Sequence, residues 1–306
     1  MENDYINKIE TLNLEIMELK KSKEYCLGRK IINIKELIKK GRIDVIIKRA
    51  LNKKNVKKMA KYNAHGELEN NFQFDVSLRK KEKPKIVIYT CITGKYDNLK
   101  TPFLKFNNID YVAFTDNEEK KNSVWNVKDI PENIKDLKDN VLINRYIKFH
   151  PNELFKDYDY SIYIDGNIKV MSDFTDFIYG INDKTGLAFH RHQFRNCIYD
   201  EIEACRLVKK GNYKKMKIQT EMYKSEGFPE KFGLYECGVI VTDLKNNVSL
   251  KILDEWWKEF IKSEMRRDQI SLPYIVWENG YKFEDIGSLG NNLYKNPKFE
   301  VIKHEN

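Results

Sequence analysis

The apolar residues at the start of the chain recur at helical spacing. Tyr5, Ile9, Leu12, Ile16 and Leu19 alternate by four and three, an a/d seam of little more than two heptads. Ile31, Ile34, Leu37, Ile38, Val45 and Ile46 keep a helical spacing across a break at Gly41, with Lys and Arg in the gaps. The pattern predicts basic amphipathic helices within residues 1–75. A polar linker, 76–84, follows and ends at Pro84. Beyond it the period changes. Short β-branched and aromatic runs at 86–89, 111–114, 160–164, 187–189 and 238–241 read as strands. Residues 133–149, 256–261 and 268–277 read as helices. Strands alternating with helices predict an α/β domain over 85–306, with a largely parallel sheet covered on both faces. Ligands of such sheets bind beyond the carboxyl ends of the strands.

Composition narrows the possibilities. At 306 residues, 41% hydrophobic and 12% aromatic, the chain can bury a large core and is not a disordered protein. It has no apolar run of the length a membrane span needs. The acidic, polar start MENDYINKIE is unlike a secretory signal, so a cytoplasmic location is expected. Cys26, Cys91, Cys197, Cys205 and Cys237 form no CxxC or zinc spacing and read as reduced thiols, mostly buried as small apolar residues. The net charge of +9 is concentrated: residues 35–61 hold eleven Lys and Arg against Glu36 and Asp44. Three partners suit residues 1–61: the chain's own domain or another copy, an anionic membrane surface, and nucleic acid. No nucleic-acid motif supports the last, so nucleic acid is not expected as a partner.

The segment with most chemical content is YDYSIYIDGNIK, residues 158–169, where a hydrophobic strand ends in Asp165-Gly166-Asn167. The glycine is expected to let the chain turn, so that two oxygen-bearing side chains point to one side. Hard cations such as Mg²⁺ or Mn²⁺ take oxygen ligands and leave positions open for phosphate oxygens. An ordinary Asx turn is the plainer reading of the same residues. Other strand ends add to the picture. TCITGKYD at 90–97 offers Thr93 and Tyr96 to a nucleoside, and Asp116 can accept from a base or ribose. Arg145 and Lys148, at i,i+3 on one helix, suit a diphosphate. The absence of GxGxxG and GxxxxGK[ST] argues against a dehydrogenase and a P-loop ATPase.

Taken in order, the segments IVIYTCITGKYD, YVAFTD, NRYIKFHP, YSIYIDGNIKV, FHRHQFRNCIYDE, EGFPEKFGLYECGVIV and RRDQISLPYIVW resemble a known family. It is the domain shared by plant Golgi mucilage-type glycosyltransferase-like proteins and bacterial capsule and surface-polysaccharide cluster proteins. More broadly, they resemble the Rossmann-like GT-A fold of nucleotide-diphospho-sugar transferases. The resemblance implies a metal-dependent glycosyltransferase using a nucleotide-sugar donor, by analogy a UDP-sugar, and a glycan or lipid-linked acceptor. Asp165 and Asn167 stand where the family's DxD binds Mn²⁺ or Mg²⁺, with His304 as a candidate third ligand. Asn167 replaces a carboxylate there with a neutral oxygen ligand, which implies weaker metal binding. His190 and His192 are a rival pair, able with Arg195 to contact phosphate or acceptor instead. Glu236 and Asp268 are candidates for the base, or for the group that stabilises positive charge on the anomeric carbon, and Gln269 faces sugar and acceptor. Two alternatives stand beside this reading. One is a sugar-nucleotide or glycan-binding module that has lost catalysis. The other is a sugar nucleotidyltransferase, disfavoured by the lack of a Gly-rich, basic first loop.

Overall fold

The computed structural model describes residues 2–43, 55–70, 74, 83–106, 109–117 and 124–303. His304, residues 44–54 of the basic stretch and residues 76–82 of the expected linker lie outside them.

Strands β1 (Ile86–Ile92), β2 (Ile109–Thr115), β3 (Asn126–Lys128), β4 (Tyr160–Ile164), β6 (Leu187–Arg191), β7 (Tyr235–Asp243) and β8 (Gly287–Ser288) form one sheet in the order β3-β2-β1-β4-β7-β6-β8. A second sheet pairs β5 (Ile168–Val170) with β9 (Phe299–Val301). The main sheet is mostly parallel, as the alternating pattern predicts. The exception is β7, which runs antiparallel to both of its neighbours, β4 and β6. Helices on one face bury Val87, Tyr89 and Cys91 of β1 with Trp256 and Phe260. Ile86 and Ile88 point the other way, into a layer with Ile162, Ile164, Phe174 and Phe299. The two-residue period of the strand thus feeds two cores, which is why every residue of β1 but Thr90 is apolar.

The helix expected over 133–149 is two helices, α3 (Glu132–Lys135) and α4 (Asn140–Phe149), with α5 (Pro151–Leu154) following. Asp139 breaks the run. Its carboxylate accepts from the amides of Val141 and Leu142 at 2.9 and 3.1 Å, an N-cap that starts a new helix. Helices α6 (Ile198–Val208) and α7 (Tyr213–Ser225) fill a region where the sequence pattern marks no element. The last two helices are α8 (Asn247–Ser263) and α9 (Asp268–Glu278).

The N-terminal segment begins with α1 (Glu2–Lys21) and α2 (Lys23–Lys39). Helix α1 docks beside the small sheet: Asn13 donates to the Pro297 carbonyl at 3.2 Å, Glu10 accepts from Ser172, and Lys20 pairs with Glu300 at 2.6 Å. Residues 63–70, within the segment expected to be helical, are irregular and tied to the domain. Ala64 donates to the Phe194 carbonyl at 2.8 Å, and Asn292 donates to the Leu68 carbonyl at 2.7 Å. No described helix is long and apolar enough to cross a membrane.

Candidate active site

Parallel strands carry their carboxyl ends to one edge, so Thr93, Asp116 and Asp165 emerge together after β1, β2 and β4. Strand β7 runs the other way and therefore brings its first residues, Tyr235 to Gly238, to that same edge. The join is direct: the Asp165 amide donates to the Gly238 carbonyl at 2.8 Å. A cleft of about 460 Å³ opens there, lined by Thr93, Tyr96, Arg145, Lys148, Asp165, Asn167, Glu236, Asp268 and Gln269. All nine are residues that the sequence nominates; Asp116, His190, His192 and Arg195 are not among the described residues in the lining.

The Asp-Gly-Asn turn works differently from its sequence reading. Gly166 has no left-handed backbone angle. It is there because the turn presses on β1, where an added Cβ would lie 2.6 Å from Ile92 Cγ1. The left-handed glycine is Gly94, at φ +67°, in the loop after β1. Asp116 holds that loop by accepting from the Gly94 amide with both oxygens, at 3.0 and 2.8 Å. Asp116 is not among the described residues lining the cleft. The Thr93 hydroxyl likewise donates to the Asn140 carbonyl at 2.9 Å, so its proton supports the loop.

Behind the turn is a buried ionic cluster. Lys148, 1% exposed, places its ammonium 2.8 Å from Asp268 Oδ2 and 3.7 Å from Asp165 Oδ1. Arg145 Nε lies 3.0 Å from the same Asp268 oxygen. Burial alone would push the Asp268 carboxyl up, but Arg145 and Lys148 outweigh it and hold the group well below the usual carboxylate range. Asp268 is therefore a permanent anion at the start of α9. Its own carbonyl accepts from the Trp256 indole at 2.9 Å.

Glu236, in β7, has the opposite setting. Burial first, and then repulsion from Glu201, push its carboxyl up to about 7. Glu201 is the charged member of that pair. Burial opposes its charge, yet Arg195, His192 and Arg267 hold it at about 2. Arg195 Nε donates to Glu201 at 2.6 Å and Arg267 at 3.2 Å. His192 accepts the amides of Phe194 and Arg195 on Nδ1, at 3.1 and 3.0 Å, which leaves the proton on Nε2. That atom lies 3.4 Å from Glu236 Oε1. Burial holds the ring near pKa 3, so it is neutral.

This network corrects two expectations. His190 is fully buried among Phe177 and Phe299, with Nε2 at 3.1 Å from Asn296, and so cannot reach a ligand. Arg195 is committed to Glu201 and Asn63. The Gln269 carboxamide also has internal partners: it donates to the Tyr235 carbonyl at 2.8 Å and accepts from Arg267 at 2.6 Å. It faces the cleft as part of the wall.

Sequence reasoning missed Glu201 and the cations Lys210 and Arg267. The side chains of Lys210, Arg266 and Arg267 line the cleft with Arg145 and Lys148. The pair Arg266-Arg267 before Asp268 was the available signal, although by itself it reads as a solvated helix start. Nothing in sequence marks Lys210, which stands in the turn after α6.

The donor set for a divalent cation is partial. Among the described residues no three His, Cys, Asp or Glu side chains converge on a metal position. Asp165 offers a carboxylate that is about one-third exposed. Asn167 donates through Nδ2 to the Ile302 carbonyl at 2.9 Å, which leaves its carbonyl oxygen as the free donor. One carboxylate and one carboxamide oxygen fit an open Mg²⁺ or Mn²⁺ site completed by water and substrate phosphates.

Comparisons with known proteins identify a family for the chain. No curated protein matches the chain significantly. Among solved structures, apo mouse xyloside xylosyltransferase 1 is similar at a TM-score of 0.38 and 11% identity, over 64% of this chain and 82% of that one. The family model described as "TOD1/MUCI70, glycosyltransferase-like domain" matches residues 54–302. By that match the chain belongs to the TOD1/MUCI70 family of glycosyltransferase-like domains.

Proposed function

We propose that the protein is a cytoplasmic glycosyltransferase of GT-A type. It would move a sugar from a nucleoside-diphosphate donor, a UDP-sugar by analogy, to a glycan or lipid-linked acceptor in surface-polysaccharide synthesis. The division into a helical stem, a linker and a transferase domain beginning at residue 85 is part of this reading. The observation that carries it is the cleft itself. A strand-end Asp165-Gly166-Asn167 shares one cavity with Arg145, Lys148, Lys210, Arg266 and Arg267, and with two carboxyls held at opposite ends of the proton-affinity range.

The roles follow from those charges. The donor diphosphate lies against the cations, and the nucleoside against Thr93 and Tyr96. A divalent cation at Asp165 and Asn167 would neutralise the departing diphosphate. As the bond from the anomeric carbon to the phosphate oxygen breaks, its electron pair leaves with the diphosphate. Positive charge then grows on the sugar, and the anion Asp268 offsets it. The acceptor hydroxyl forms the new bond and gives its proton to Glu236, whose value near 7 matches a general base. Environments that drive two carboxyls apart assign one to electrostatics and one to proton transfer.

Thermal shift against a panel of nucleotide sugars, with and without Mn²⁺, tests the reading. A nucleoside diphosphate or its sugar should raise the melting temperature, and more so with Mn²⁺. Failure of every nucleotide to do so refutes the donor site. Asn167 in place of a second carboxylate favours one other reading, a binding module on the same fold. Sugar-nucleotide binding without metal-dependent turnover would establish it.

A further inference from the structure

Helix α2 carries an apolar stripe that the other described residues leave uncovered. Leu27, Ile31, Ile34 and Ile38 are 59, 46, 42 and 56% exposed, and no side chain of the helix is buried. At about 100° per residue the four fall within about 60° of arc. Lys30 flanks the stripe on one side and Lys35 on the other, both within reach of its edges. Over the whole helix Lys23, Arg29, Lys30, Lys35 and Lys39 face only Glu24 and Glu36. A 17-residue helix with Gly28 inside and no buried face gains little from propensity alone, so its stripe is built to be covered.

Charge decides between the two surfaces that could cover it. The spacing of four, three and four places Leu27 and Ile34 at d positions, and Ile31 and Ile38 at a positions. In a parallel pair of copies Lys30 would then occupy g and Lys35 the facing e position, so like charges would meet along the seam. The same two lysines suit a bilayer, where their stems lie along the apolar face and their ammonium groups reach outward to anionic headgroups. Helix α1, hydrogen-bonded to the domain through Asn13 and Glu10, fixes this surface to the transferase domain.

We infer that α2 is a docking surface for an anionic lipid bilayer, seating the helix in the headgroup layer without crossing it. The inference is independent of the donor and of the chemistry in the cleft. The test is co-sedimentation of the full chain with vesicles of phosphatidylcholine alone or mixed with phosphatidylglycerol, at low and high salt. Binding is expected to the anionic vesicles and to weaken with salt. Lys30→Gln with Lys35→Gln should lower that affinity about thirtyfold, about fivefold per lysine. Ile31→Ser with Ile34→Ser should abolish it while the melting transition stays where it is, because both side chains are exposed. Equal binding to neutral vesicles, or indifference to both double variants, overturns the inference. So does a wild-type dimer in light scattering that the Ile31→Ser/Ile34→Ser variant dissociates, with no vesicle binding by either form. That result would assign the stripe to a second copy.

Discussion

Asp268→Asn isolates the charge at the centre of the cleft with almost no change of shape. The wild-type carboxylate neutralises Lys148 at 2.8 Å and Arg145 at 3.0 Å. Without it Lys148, 1% exposed, keeps the longer contact to Asp165 at 3.7 Å and its place over the Tyr163 ring, 5.1 Å from the centroid. Removing one partner of a buried ion pair costs about 3–5 kcal/mol, because the surviving charge has already lost its water. The remaining Asp165 contact sets the expectation at the lower end, about 3 kcal/mol. For a domain of this size that lowers the melting temperature by roughly 6–12 °C. Adding Lys148→Met should recover much of the loss, since the charge left stranded is then gone. The pH dependence has a definite sign. The folded carboxyl is held below its unfolded value of about 3.9, so the stabilisation is complete above that value and is lost as pH falls toward the folded one. The difference between wild type and variant should stay flat from neutral pH down to about 5, then shrink below about 4. Scanning calorimetry or urea unfolding across that range measures it. A loss under about 1 kcal/mol, or one that Lys148→Met deepens, would show that the pair is not the charge balance inferred above.

Two further outcomes test neighbouring parts of the site. Glu236→Gln should stabilise the protein at pH 8, by about 4 kcal/mol at most, and leave it unchanged near pH 4. The wild-type carboxyl titrates at about 7 when folded against about 4.3 when unfolded, so wild-type stability falls as pH rises between those values. Thermal denaturation at the two pH values checks this, and a variant less stable at pH 8 contradicts it. Gly166→Ala brings a Cβ to 2.6 Å from Ile92 Cγ1, an overpacking worth about 1–3 kcal/mol. In an Ile92→Ala background the same substitution should cost nothing measurable. Equal costs in both backgrounds in urea unfolding would place the strain elsewhere.

Local order in the chain settled a good deal by itself. The apolar runs at 86–89, 111–114, 160–164 and 238–241 fall on observed strands because a strand buried on both faces needs uninterrupted apolar residues. The Asp-Gly-Asn turn is legible for a related reason, since polar groups at a strand's end have no sheet to bury them. Other features needed the folded protein. Direction is one: nothing in residues 235–243 says that β7 is antiparallel, and only that reversal brings Glu236 to the cleft that Asp165 lines. Helices α6 and α7 are another, because their burial depends on what packs over them and not on a strong period of their own. Proton affinity is the last. Asp268 and Glu236 are both carboxylates beside basic and aromatic residues in sequence. One is a fixed anion because Lys148 and Arg145 reach it from α4, and the other titrates near neutrality because it is buried and Glu201 faces it from α6. Charges act through space, and the chain order of these residues gives no sign of who faces whom.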